Sequence, residues 1–106
     1  MFNPETNNAL VLCENLELSQ ARAEHGEAFA SRHEAYAVIL EELQEAQQQI
    51  ERLNKAVDMF WRDIKSDVPD NRINYDCYDI QTAAHLAAME LCQVIACARK
   101  AKIDAE

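Results

Sequence analysis

At 106 residues, 49% of them hydrophobic, the chain is read as one domain, 1–106, with a modest core of the kind that self-association commonly completes. Its 19 acids against 10 Lys and Arg, a net charge of −9, exclude a nucleic-acid backbone as partner, since that contact depends on clustered cations. One Gly and two Pro among many Ala, Glu, Gln and Leu exclude a β-rich or α/β chain and predict an all-α protein.

The first helix opens at Asn3-Pro4-Glu5, which has the form of an N-cap, a first-turn proline and an acid favoured by the helix dipole. It is expected to run through Leu12, Leu16 and Ala23 and to close at Gly26, the single glycine. Ser31-Arg32-His33-Glu34 matches a capping box, so Glu34 is assigned to the start of the second helix rather than to a ligand.

The second helix is the longest expected element. Tyr36, Ile39, Leu43, Ala46, Ile50, Leu53, Val57, Phe60 and Ile64 alternate steps of four and three, and Leu40 and Trp61 widen that stripe. The pattern predicts a helical bundle around one long central helix, completed by assembly into a dimer or tetramer. The segment from Ser66 to Asp76 reads as a loop, with Asp76 or a neighbour capping a third helix whose Ile80, Ala84, Ala87, Leu91, Val94 and Ala98 face a partner. Arg99, Lys100 and Lys102 suit its C-terminal dipole.

No apolar run approaches the roughly 20 residues of a membrane span, and Met1-Phe2-Asn3-Pro4-Glu5 lacks the form of a signal peptide, so a cytoplasmic protein with no membrane partner is expected. Cys13, Cys77, Cys92 and Cys97 show no zinc-ligand spacing and read as small buried apolar residues. His25, His33 and His85 share no ligand spacing and read as structural or solvated.

Glu42 and Glu45 lie one helical turn apart, and Glu90 flanks the stripe of the third helix, with Gln93 one turn further on. On spacing alone these are either surface glutamates of Glu-rich helices or ligands of one hard cation, provided the fold returns the third helix to the second.

The stretches from His33 to Ala46 and from Ala87 to Lys100 resemble the small MazG-like proteins carried by bacteria and phages, of the all-α nucleoside triphosphate pyrophosphohydrolase superfamily. The likeness spans roughly residues 24 to 102. In that superfamily E-E-x-x-E is followed on a later helix by E-x-x-D, and these acids bind magnesium. The resemblance therefore implies a Mg2+ site, also open to Mn2+, on Glu42, Glu45 and Glu90. It gives Glu41 the task of orienting or deprotonating water and makes Arg99 and Lys100 phosphate-binding candidates. Gln93 stands where the aspartate is expected, which implies weaker metal binding and weaker turnover, because an amide carbonyl can ligate a cation but brings no charge and cannot act as a base. The separation of Glu45 from Glu90 is also longer than the superfamily's, as if helix two and the Ser66 to Asp76 loop were extended.

Hydrolysis of a nucleoside triphosphate to monophosphate and pyrophosphate is the first reading of function. A non-catalytic protein sequestering a nucleotide or nucleotide-derived small molecule is the second, and a helical oligomeric interaction protein the third. Tyr36, Trp61, Tyr75 and Tyr78 are available to stack on a base, although Tyr36 and Trp61, in or beside the stripe, are assigned to the core.

Overall fold

A computed structural model describes residues 3–102. Expectations placed on Met1, on Phe2 and on the side chain of His25 lie outside the described residues. Three helices account for nearly all of the described chain: α1 (Pro4–His25), α2 (Arg32–Lys65) and α3 (Asp70–Ala101). The protein is an all-α helical bundle, and α2, 34 residues long, is its longest element.

The helix ends follow the local chemistry of the sequence. Asn3 Oδ1 accepts the Thr6 N–H at 2.8 Å, and Gly26, at φ 91°, donates its N–H to the Arg22 carbonyl. At the start of α2, Ser31 Oγ accepts from Glu34 N at 3.1 Å while Glu34 Oε1 accepts from Ala30 N at 3.4 Å. Glu34 is thereby occupied as a capping residue.

The third helix begins six residues before Asp76, at Asp70. The connection is only residues 66–69, and the expected longer loop is the first turns of α3. Asp67 adopts φ 52°, its N–H bonding to Ile64 O at 3.2 Å while Val68 N bonds to Asp63 O at 3.4 Å, a Schellman ending with Asp in the place glycine usually takes. Pro69 O then accepts from Arg72 N and Ile73 N, and Asp70 in the first turn suits the helix dipole. Asn71 and Asn74 are turn formers by preference, but packing of Ile73, Asp76 and Ile80 overrides that preference. What read as a loop is helix from Asp70 onward.

By contacts the chain forms two compact units. The first comprises the chain through Leu43 and from Leu91 onward, bringing α1, the connection 26–31, the start of α2 and the end of α3 together. Leu18, Ala35, Cys92, Ala96 and Cys97 are buried in it. The second, Gln44–Glu90, is an antiparallel hairpin of α2 and α3 closed by the turn at residues 66–69. Ala46, Ala56, Ala83 and Ala87 line its seam, and small side chains let two helices approach closely.

The heptad stripe of α2 divides into two rows. Ile39, Ala46, Leu53 and Phe60 turn inward, whereas Tyr36, Leu43, Ile50, Val57 and Ile64 are exposed, Val57 and Ile64 each by 47%. Tyr36 and Trp61 are exposed too, which corrects their assignment to the core, and so are Cys13 and Cys77, although Cys92 and Cys97 are buried as expected. The reason is geometric: a helix in a two-helix seam buries a strip narrower than a seven-residue pattern with two apolar rows.

By length and composition alone α3 is apolar enough to cross a membrane, its most apolar 18 residues having mean hydropathy 1.2, contrary to the expectation that no run comes near. Clustered alanines raise that mean between polar residues.

Candidate functional site

Glu45 and Glu90 stand on opposite arms of the hairpin, half-buried, with carboxylate oxygens within 4.8 Å of each other. Glu45 is turned partly inward. Glu42 precedes it by one turn on the same unbroken helix and is likewise half-buried, whereas Glu41 is exposed. Oxygens at such a separation suit one shared cation, because Mg–O and Ca–O distances of about 2.0 to 2.6 Å place two ligands of one ion within roughly 5 Å.

The sequence around the pair is acidic. No Lys or Arg occurs between Arg32 and Arg52 on α2, or between Arg72 and Arg99 on α3.

Within the first unit, a cavity of about 440 Å³ is lined by carboxylates from Glu17 and Glu24 of α1 and from Glu34, Glu41 and Glu42 of α2. Its remaining wall includes Phe29, Val38, Gln93, Cys97 and Lys100. The volume lies in the range of small-molecule sites. Lys100 is only 6% exposed, with Nζ 4.4 Å from the centre of the Phe29 ring, so its charge is held by an aromatic face at the cavity wall. Burial pushes the Cys97 thiol above its ordinary value, the Glu42 carboxylate adds to the effect, and Lys100 opposes it. Cys97 is thus a protonated wall residue and no nucleophile.

Of the two phosphate-binding candidates, both line a second cleft and only Lys100 also lines the acidic cavity. Arg99 donates from Nη1 to Asn15 Oδ1 at 2.6 Å. Gln93 is at the cavity with Glu41 and Glu42. Tyr36, Trp61, Tyr75 and Tyr78 are all outside its lining, and the aromatic residue present is Phe29. No periodic signal marked Phe29, since it lies in the connection between α1 and α2.

A second carboxylate pair went unnoticed in the sequence. Asp76, expected as a cap, is 2% exposed in the interior of α3 and faces Asp63 of α2. Arg72 Nε lies 3.0 Å from Asp63 Oδ2 and 3.8 Å from Asp76 Oδ1, while Asp76 Oδ2 is buried without a hydrogen-bond partner. The hydrogen bond between the two carboxyls, with Arg72 beside them, lowers Asp63 below the usual carboxylate value. The same hydrogen bond to Asp63, with burial, raises Asp76 above it.

The chain matches no protein-family model, and comparison with curated proteins and with solved structures finds no match.

Proposed function

We propose that the protein is a Mg2+-dependent nucleoside triphosphate pyrophosphohydrolase, also active with Mn2+, converting a nucleoside triphosphate or related nucleotide to its monophosphate and pyrophosphate. The observation that carries this reading is the approach of Glu45 and Glu90 to within 4.8 Å from separate helices, in register with the acid pattern of the MazG-like proteins that the sequence resembles. Glu42, Glu45 and Glu90 are the residues that would hold the cation. When bound, the metal neutralises phosphate oxygens and stabilises charge that develops in the displacement.

The chain's own groups divide the remaining tasks. Glu41, exposed and lining the cavity beside Glu42, orients or deprotonates the attacking water. Lys100 offers a buried ammonium to phosphate oxygens, and Phe29 a ring face to the base. Gln93 accepts hydrogen bonds or donates a carbonyl ligand, with one charge fewer than the expected aspartate. Gln93 equally favours a second reading, a sequestering protein that binds a nucleotide or nucleotide-derived signal without cleaving it. The exposed apolar row of α2 supports the third, an oligomeric interaction protein.

Self-association into a dimer or tetramer belongs to the proposal. Among the described residues no large side chain is fully buried, and Ile50, Val57, Trp61 and Ile64 lie open on the hairpin. A cytoplasmic site of action, with neither nucleic acid nor membrane as partner, completes it. The test is pyrophosphate release from a panel of nucleoside triphosphates with MgCl2 or MnCl2. Metal-dependent release supports the hydrolase, tight binding without release replaces it by the sequestering protein, and absence of nucleotide binding leaves the interaction protein.

A further inference from the structure

The second cleft of the first unit carries charge opposite to that of the chain as a whole. Four of its seven lining residues are cations, Arg22 from α1 and Arg99, Lys100 and Lys102 from the end of α3, and Glu27 is the one carboxylate among them. Its volume is about 410 Å³. In a protein with 10 Lys and Arg against 19 acids, chance would populate such a concavity mainly with carboxylates. Three of these cations are explained in part as partners of the α3 dipole, but Arg22 is not. It comes from another helix, outside the region that resembles MazG-like proteins.

One of these cations also has an unsatisfied buried donor. Arg22 Nε is buried without a hydrogen-bond partner, its distance of 3.7 Å to Glu27 Oε2 being an ion pair rather than a hydrogen bond. Lys100, 94% out of solvent by its 6% exposure, lies against Phe29 and lines this cleft as well as the acidic cavity. A buried N–H donor and three further cations around one concavity match an anion that offers several acceptor oxygens.

We propose that this cleft is an oligophosphate-binding site, with Arg22 and Lys100 as its inner contacts and Arg99 and Lys102 at its rim. Two sources offer that chemistry: the phosphate chain of the proposed substrate, reached through Lys100, and a separate phosphate-bearing effector or product. Only the first source rests on the pyrophosphohydrolase reading. The anion site itself does not.

The probe is inorganic pyrophosphate, titrated calorimetrically into the full chain in the presence of a chelator, so that no metal bridges it to the carboxylates. One saturable site per chain, weakened by added salt, is expected. Arg22→Gln and Lys102→Gln should each weaken binding about fivefold, from the loss of one charge-assisted hydrogen bond or ion contact, while Lys55→Gln on an exposed face of α2 leaves it unchanged. Lys102 lies exposed beyond the end of α3, so its replacement reads the site without risk to the fold. A second arm repeats the titration with a nonhydrolysable nucleoside triphosphate and MgCl2 already bound. Competition assigns the cleft to the substrate's phosphates, and independent binding assigns it to a separate anion; both uphold the site. Failure of the wild type to bind pyrophosphate, or equal affinity in wild type, Arg22→Gln and Lys102→Gln, overturns it. Nucleotide hydrolysis unaffected by these variants would leave the proposed function intact in that case. Pyrophosphate binding in a protein that hydrolyses nothing would retain the cleft and remove the hydrolase.

Discussion

Asp63 and Asp76 face each other near the turn of the α2–α3 hairpin with Arg72 beside them, whereas Glu45 and Glu90 meet toward its open end, where the neighbouring sequence adds further acids and no Lys or Arg. Both are carboxylate pairs across the same two helices. In the first, the chain supplies its own cation from an i, i+4 position, and a geometry with Nε at 3.0 Å closes the pair structurally. In the second, Glu41 and Glu42 precede Glu45 within four residues, which raises rather than relieves the local negative charge. A pair furnished with a guanidinium is a brace. The pair set among further acids is where the proposed function places a divalent cation.

The sharpest way to break the comparison is to neutralise one member of each pair. Glu90→Gln should lower metal-dependent pyrophosphate release by at least about a hundredfold, the loss of roughly 3 kcal/mol of transition-state stabilisation. Asp76→Asn should leave the rate within about twofold, because it alters the brace alone. Equal losses in steady-state assays of the two variants would dissolve the distinction between the pairs.

The hairpin also presents its two apolar rows differently, and the exposed one is expected to meet a second chain. Val57→Lys, in the middle of Ile50, Val57 and Ile64, should shift the assembly toward monomer by about a hundredfold in dissociation constant while helicity is retained, since a desolvated ammonium has no partner in an apolar seam. Light scattering across micromolar concentrations, with circular dichroism as the control, reads this directly. An unchanged assembly in the variant, or a monomeric wild type, removes that face as an interface.

Gln93→Asp sharpens the account in the other direction. Restoring the fourth acid of the pattern should raise pyrophosphate release about tenfold, equivalent to ~1.4 kcal/mol. A rate unchanged by this substitution would mean that Gln93 is not what limits turnover.

The smallest expected effect concerns the brace itself and is a matter of pH. Asp76 is raised in the folded state, so the stability it contributes is present below its unfolded value and is lost as pH rises through its folded one. Asp63 is lowered, so its contribution is present above the unfolded value and lost as pH falls through the folded one. Thermal melts should therefore be highest in the acidic window between the two. Asp76→Asn, which keeps a donor toward Asp63 without the charge, should melt above wild type at pH 7 and level with it within that window. A constant difference across pH would show that Asp76 does not titrate as its surroundings imply.

Much of this fold was legible because the relevant signals are local. Asn3, Gly26 and the Ser31–Glu34 box mark helix ends through hydrogen bonds made within four residues, and the structure contains each of them. The meeting of Glu45 with Glu90 was legible only conditionally, since acid spacing states which face a side chain occupies and not what lies opposite. The beginning of α3 was misread because Asp70, Asn71 and Asn74 favour turns in isolation, while packing of Ile73 and Asp76 against α2 decides otherwise. Neither Phe29 beneath Lys100, nor Arg72 between two aspartates, nor the gathering of Arg22 with Arg99 carries a periodic trace. Those contacts exist only once the helices are packed.

The central claim is that Glu45 and Glu90, with Glu42 one turn away on α2, hold a divalent cation. Calorimetric titration of MnCl2 into wild type and Glu90→Gln, with circular dichroism to establish equal helicity, tests it without assuming a substrate. The account predicts a saturable site in the wild type and affinity weakened at least about tenfold in the variant, as expected when one of three charged oxygen ligands is lost. Equal affinity in the two proteins, or no saturable binding in either, would contradict it and return these glutamates to the solvated surface of the helices.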